Sequence, residues 1–403
     1  MALRRAAVRL VLGLALALGL VQSNPTRLAA ARVAGEPSRL VVGYYVPYDA
    51  TSWASLQAHA DGLDLVAAQW VTIDGCGNLG SRDDQTLKTF AQQHHVKILP
   101  SLLTGSAWLN HQLLTDEETA AHAIEQIVSY TLAENYDGFD LDLEAIDAAD
   151  RPAFSSFATW LAGALHDSGK FLTLAIPAKD RDVTVGWAGA YDYAALGAAA
   201  DLITVMAYEY RGPFSGPGSV APYDWVDRVA AFSTSQMPAD KVLLGLSFYG
   251  YDWNTTAGTA RSVGYPLARA LADFYGAPFA FDVRQQSTTF SYEAIAGEAV
   301  PSSPTAARVA HQISVREAPP CGLQAPPSAP PRPRPEAVPG TPQSHEVWLE
   351  DGTSADARLA IASQHGARGV ATWRLGLEDP RVWELFAAWR GATARRDSVR
   401  QGV

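Results

Sequence analysis

The chain has 403 residues, of which 48% are hydrophobic, 18% charged and 10% aromatic, and its formal net charge is -11. That apolar content excludes a disordered chain, and the length allows one barrel-type domain of about 250 residues or more with additions. The acidic balance excludes the basic patches that nucleic acid or an anionic membrane surface requires, and points to a neutral or mixed-charge substrate.

Residues 1–37 open with Arg4, Arg5 and Arg9, followed by an apolar run from Leu10 to Val21 and small residues at Ala29 to Ala31. This is the pattern of a secretory signal peptide and linker; the run is short of the roughly 20 apolar residues a spanning helix needs. The expectation is an exported protein, secreted or in the cell wall, with no stable membrane insertion after cleavage. Short apolar runs then recur at 39–45, 63–71, 96–103, 137–144, 171–177, 201–208, 241–250 and 368–376. Helical patterns lie between them. Thr115 with Glu118 reads as a capping box ahead of Ala120, Ile124 and Ile127, and Asp150 and Pro152 start an amphipathic stretch that Gly169 stops. Eight buried strands alternating with helices predict an α/β fold, a parallel (β/α)8 TIM barrel over residues 38–392.

The interval between the seventh and eighth strands is too long for a loop and one helix. Residues 254–350 hold a helix-like stretch and three strand-like ones, which predicts a small α+β insertion within the barrel. Inside it, residues 301–343 carry 12 of the 25 prolines and read as a mobile, disordered loop of polyproline type. Residues 393–403 read as a disordered tail. Cys76 and Cys321 form no metal-ligand spacing; whether they pair stays open, two free thiols being the simpler reading.

The fourth strand carries the chemistry. In YDGFDLDLEAID, Asp140, Asp142 and Glu144 alternate with Phe139, Leu141 and Leu143, so an extended chain places the acids on one face and the apolar residues on the other. In a parallel barrel the acid face lines the mouth at the C-terminal strand ends. Carboxylates spaced roughly 6 to 7 Å apart and partly desolvated cannot all ionise cheaply, so at least one keeps a proton to donate. An EF-hand loop is excluded, because position 6 from Asp140 is Ala145 rather than Gly. A magnesium site on the same acids stays as an alternative; the expected cofactor and metal content is none.

Asp137-Gly138-Phe139-Asp140-Leu141-Asp142-Leu143-Glu144 resembles the DGxDxDxE signature of glycoside hydrolase family 18, the chitinase family. The resemblance runs over about residues 38–390. Met206-Ala207-Tyr208-Glu209 falls where the family has Met-x-Tyr-Asp, and Trp373 where it keeps a tryptophan under the sugar. MAYEYRGPFSGPGSVAPYDWV, LLGLSFYGYDW, HEVWLED and GLEDP look more like the bacterial spore-germination or cortex-lytic branch, which acts on N-acetylglucosamine in peptidoglycan. Glu209 suits that branch, and the chitinase SxGG is replaced by ILPSLLTG.

The resemblance implies a retaining glycosidase without a protein nucleophile, the substrate's 2-acetamido oxygen attacking the anomeric carbon. Glu144 is then the acid and later the base. Asp142 binds the acetamide N–H and stabilises the oxazolinium, Asp140 shares a proton with Asp142, and Tyr208 donates to the acetamide oxygen. Trp373 is the expected sugar platform, and Tyr44, Glu209 and Met206 are candidate substrate contacts, Met206 more as packing. Trp70, Trp225 and Trp253 are further subsite candidates, whereas Asp137, His94 and His95 read as structural or surface residues. The implied partner is an N-acetylglucosamine polysaccharide, peptidoglycan or chitin, and the rival reading is a glycan-binding protein without catalysis on the same barrel.

Overall fold

Eight strands that are apolar on one face and mixed on the other close into a ring when each can cover its outer face with a helix. The computed structural model describes residues 39–302, 312–323, 325–326 and 338–401, with backbone alone from 392 onward. Its strands are, in chain order, β1 (Leu40–Tyr45), β2 (Leu65–Ile73), β3 (Leu79–Asp84), β4 (Lys97–Thr104), β5 (Gly138–Leu143), β6 (Phe171–Pro177), β7 (Leu202–Met206), β8 (Val242–Ser247), β9 (Tyr249–Asn254), β10 (Thr259–Gly264), β11 (Ala280–Asp282), β12 (Ser287–Ile295), β13 (Ile313–Arg316), β14 (Pro342–Leu349) and β15 (Gly369–Trp373). The parallel strands pair in the order β1-β15-β8-β7-β6-β5-β4-β2, and β1 pairs with β2 to close the barrel. All eight strands expected from the sequence are present.

The alternation in β5 separates two environments. Phe139, Leu141 and Leu143 are fully buried in the main apolar cluster, together with Phe154, Phe157 and Leu161 of the helix Arg151–Asp167. The barrel interior is a second, smaller cluster that includes Val42, Tyr44, Leu65, Ala67, Leu99, Phe171, Ala175 and Ala371. Gly138 starts β5 because a Cβ there would lie 2.2 Å from the Phe171 carbonyl oxygen; any side chain would push β5 off β6. The helix Glu117–Ala133 is capped one residue later than the sequence suggests. Asp116, not Thr115, accepts from the Thr119 N–H at 2.8 Å, because the preceding helix Ala107–Thr115 still uses Thr115, whose hydroxyl donates to the His111 carbonyl.

Between β8 and β15 stands a five-stranded antiparallel sheet in the order β10-β9-β14-β12-β11, with the helix Tyr265–Tyr275 on one face. Residues 260–264, the first part of the helix-like stretch ARSVGYPLARALADFYG, instead belong to the edge strand β10 paired with β9. The proline-rich region differs more from the sequence expectation. Residues 303–311, 324 and 327–337 lie outside the described residues. Residues 313–316, however, form β13, which adds antiparallel to β3, itself the return strand of a β2–β3 hairpin. Cys76 and Cys321 are disulfide-bonded across 245 residues, with Cα atoms 5.9 Å apart, so the free-thiol reading is overturned. Prolines alone did not decide the fate of this segment, because an ISVR strand and a covalent tie offset its ordering entropy. Cys321→Ser should lower unfolding stability by about 2 to 4 kcal/mol, read by denaturant titration against the oxidised parent.

The expected tail disorder is also corrected: the helix Val382–Gln401 continues through most of it. Ala, Arg and Gln, which make up seven of residues 390–401, are good helix formers, and Gly391 is the poorest helix former among them. The signal segment and residues 402–403 lie outside the described residues. Among those described, no helix is long and apolar enough to cross a membrane.

Candidate active site

The inward-facing residues of neighbouring strands meet the β5 acids. Asp140 is buried and accepts hydrogen bonds from Ser101 of β4 at 2.7 Å, Thr173 of β6 at 2.5 Å and, at 3.5 Å, Tyr44 of β1. Burial raises its pKa from the ordinary 3.8 to about 6, and those three hydroxyls limit the rise. Asp142 is buried too, with Oδ2 accepting from Gln69 of β2 at 3.0 Å and Oδ1 without a hydrogen-bond partner among the described residues. Burial pushes its proton affinity up most, and the charges of Glu144 and Asp140 push it further. Glu144 sits half-buried at the end of the strand, its pKa raised by burial and then by the charge of Glu209.

The end of β7 supplies the facing wall. Two tight turns, with Ala207 N–H donating to Val205 O and Tyr208 N–H to Met206 O, both at 2.8 Å, carry the chain to Glu209, which has φ +63°. Tyr208 feels Asp142, Glu144 and Glu209 together, and burial with those three charges raises its pKa. This places its ring among the acids. A Cβ at Gly245 of β8 would lie 2.5 Å from the Val205 carbonyl oxygen and 3.1 Å from Tyr208 Cε1, so the glycine admits the close approach of β7 and of that ring. Glu209 is held by Tyr249 and Tyr251 of β9, both donating to Oε1, the latter at 2.7 Å. Trp373 ends β15, half-buried, with its ring 5.8 Å from that of Tyr44, and Met206 is half-buried at the end of β7.

Residues 40–378 match the family described as "Glycosyl hydrolases family 18". The chain belongs to glycosyl hydrolase family 18. It is similar to the putative sporulation-specific glycosylase YdhD of Bacillus subtilis (strain 168), with 27% identity over 281 residues, 68% of this chain and 56% of that one. It is similar also to the cortical fragment-lytic enzyme of the same strain, with 26% identity over 284 residues, 69% and 56% of the two chains. The chain therefore spans a little over half the length of these two relatives. The crystal structure of a chitinase from Chromobacterium violaceum ATCC 12472 superposes with a TM-score of 0.71 at 25% identity, covering 87% of this chain and 98% of that one.

Within this family 18 barrel the structure brings Asp140, Asp142, Glu144, Tyr208, Glu209, Tyr44 and Trp373 to one end. It moves Trp70 away: the odd-even alternation of β2 puts Gln69 inside and Trp70 outside, buried against Tyr45 and Tyr136. Trp225 packs beside Tyr210 at 5.2 Å, and buried Trp253 donates to the Ser215 carbonyl at 3.3 Å, tying down the loop after β7. Asp137 is exposed and its carbonyl accepts from Phe171 N–H, and His94 and His95 are exposed. Sequence reasoning missed Gln69, Ser101, Thr173, Tyr249 and Tyr251. The first three had a signal, a lone polar residue on the inward alternation of an otherwise apolar strand.

The three acids do not converge on a common point. Among the described residues, the one trio of potential metal ligands within mutual reach is Asp74, Cys76 and Cys321, whose sulfurs are joined to each other. Tyr249→Phe with Tyr251→Phe should remove both hydroxyls that hold Glu209 and cost about 1 to 3 kcal/mol of stability, read by thermal melts.

Proposed function

We propose that this chain is an exported retaining glycosidase that cleaves β-linkages after N-acetylglucosamine by substrate-assisted catalysis, with peptidoglycan or its fragments preferred over chitin. The observation that carries the reading is the graded acid strand: two buried carboxylates with raised proton affinity lead to a half-buried third at the barrel mouth. Glu144 protonates the glycosidic oxygen as the C1–O bond breaks, while the acetamide oxygen bonds to C1 and gives an oxazolinium ion. Water then attacks C1, giving its proton to Glu144, and the acetamide oxygen leaves with configuration retained.

Asp142 suits the acetamide N–H because its Oδ1 is buried without a donor; the substrate supplies one. Asp140, titrating near 6, adjusts the charge of Asp142. Tyr208, which feels the charges of Asp142, Glu144 and Glu209, donates to the acetamide oxygen, and Trp373 offers a ring face under the sugar. Export is supported by the Arg-rich, apolar N-terminal run, and the peptidoglycan preference by the similarity to a cortical fragment-lytic enzyme. The test is mass spectrometry of products from peptidoglycan and from chitin oligomers, in chelator. New N-acetylglucosamine reducing ends, more from peptidoglycan, are expected. Binding of both glycans with no product from either would replace the enzyme by a glycan-binding protein.

A further inference from the structure

We propose that Asn110, oriented by Thr104, is a positioning residue that holds the Glu144 peptide where the β-ladder can no longer reach it. The inference rests on the reading of Glu144 as the acid.

The β4–β5 ladder ends at the pair Thr104 and Leu143. Glu144 lies one residue beyond, and the next residue, Ala145, has φ +56°, a left-handed conformation that a β-carbon disfavours. Nothing in the strand itself keeps the chain in that state. Three hydrogen bonds close a ring instead: Glu144 N–H donates to Thr104 O at 2.7 Å, the Thr104 hydroxyl donates to Asn110 Oδ1 at 2.7 Å, and Asn110 Nδ2 donates to the Glu144 carbonyl. The hydroxyl fixes which end of the Asn110 amide accepts and so leaves the other to donate. Asn110 is fully buried and Thr104 nearly so, so water cannot substitute for either. On the other flank the buried Tyr191 hydroxyl donates to the Leu143 carbonyl at 2.7 Å. The peptides on both sides of the Glu144 Cα are therefore gripped by side chains from two different elements, the helix Ala107–Thr115 and the loop that follows β6.

This matters because a general acid works only within hydrogen-bond reach of the leaving oxygen, and a misplacement of about 1 Å costs on the order of 100-fold in rate. Losing the Asn110 donor frees the Glu144 carbonyl, and Ala145 relaxes toward a commoner backbone conformation. The Glu144 side chain then swings with its Cα. Asn110 touches no sugar in this arrangement, so binding is spared.

The experiment compares Asn110→Ala, Thr104→Val and Thr104→Ser in the full chain. It reads kcat and KM on the best substrate, thermal melting, and amide hydrogen exchange of the peptide that ends β5. The expected result is a fall in kcat of about 10- to 100-fold for Asn110→Ala and less for Thr104→Val, with KM within about threefold. Thr104→Ser, which keeps the hydroxyl, should retain the parent rate. Exchange of the Glu144 amide should quicken in Asn110→Ala and Thr104→Val without a matching drop in melting temperature. Unchanged kcat in both, or a fall in kcat with unchanged exchange at Glu144, overturns the proposal. If the parent cleaves no glycan, the functional reading fails separately and exchange still decides: faster exchange upholds the backbone grip, and unchanged exchange refutes it. If Asn110→Ala does not fold, the Val and Ser pair at Thr104 carries the comparison.

Discussion

Glu144→Gln should lower the rate of glycan hydrolysis by about a thousandfold while leaving glycan binding nearly unchanged. Gln keeps the size and hydrogen-bonding shape of a protonated Glu but cannot release a proton to the leaving oxygen, and general acid catalysis contributes roughly 100- to 10,000-fold. The pH profile of the parent supplies an independent check. Burial and the Glu209 charge both raise the Glu144 pKa, so the acid form persists above the ordinary carboxylate range and activity falls on the alkaline side as that proton leaves. Glu209→Gln removes one of the two causes and should move the alkaline limb to lower pH. Steady-state rates from pH 4 to 9 test both statements; full activity in Glu144→Gln would sink the mechanism.

Asp140→Asn should make the protein more stable at neutral pH and less active. The folded pKa of Asp140 is raised, so its contribution to stability is intact below the unfolded value near 3.8 and is lost as pH rises through about 6. The difference, at about 1.36 kcal/mol per pH unit, amounts to about 3 kcal/mol above pH 7. An Asn carries no charge to desolvate, and its oxygen can still accept from Thr173 and Tyr44. Melting temperatures of parent and variant should therefore coincide near pH 4 and separate by several degrees by pH 7.5, the variant higher. Activity should drop at least tenfold, because the charge of Asp140 is one of the causes that raise the proton affinity of Asp142. A stability gain that does not depend on pH would show that the buried charge is not its source. This opposition of stability and activity is the pattern of a site whose buried charge is retained for chemistry.

The acid strand was legible because its information is local. Asp140, Asp142 and Glu144 at every second position, with Phe139, Leu141 and Leu143 between, specify an extended backbone, two faces and a burial contrast without reference to the rest of the chain. The eight strands were legible for a related reason, since each is a short apolar run bounded by helix signals. The tryptophans show where such reading stops. Trp70 lies near the end of the apolar run 63–71, which makes it a subsite candidate by sequence, yet its position in the alternation of β2 sends it outward and gives the site Gln69.

The sequence by itself thus determined the barrel, the acidic face at its mouth and the family, because side-chain periodicity and a contiguous motif are properties of a backbone segment. Only the tertiary structure decided who meets whom. Ser101, Thr173 and Tyr44 come from three other strands to hold Asp140, and Tyr249 and Tyr251 reach Glu209 from the root of the inserted sheet. Asn110 continues a ladder that the strand had ended, and Cys321 crosses 245 residues to pin a proline-rich segment. Each of these depends on the closure and register of the sheet, which bring distant residues within about 3 Å of one another, and no local pattern encodes a distance across the barrel.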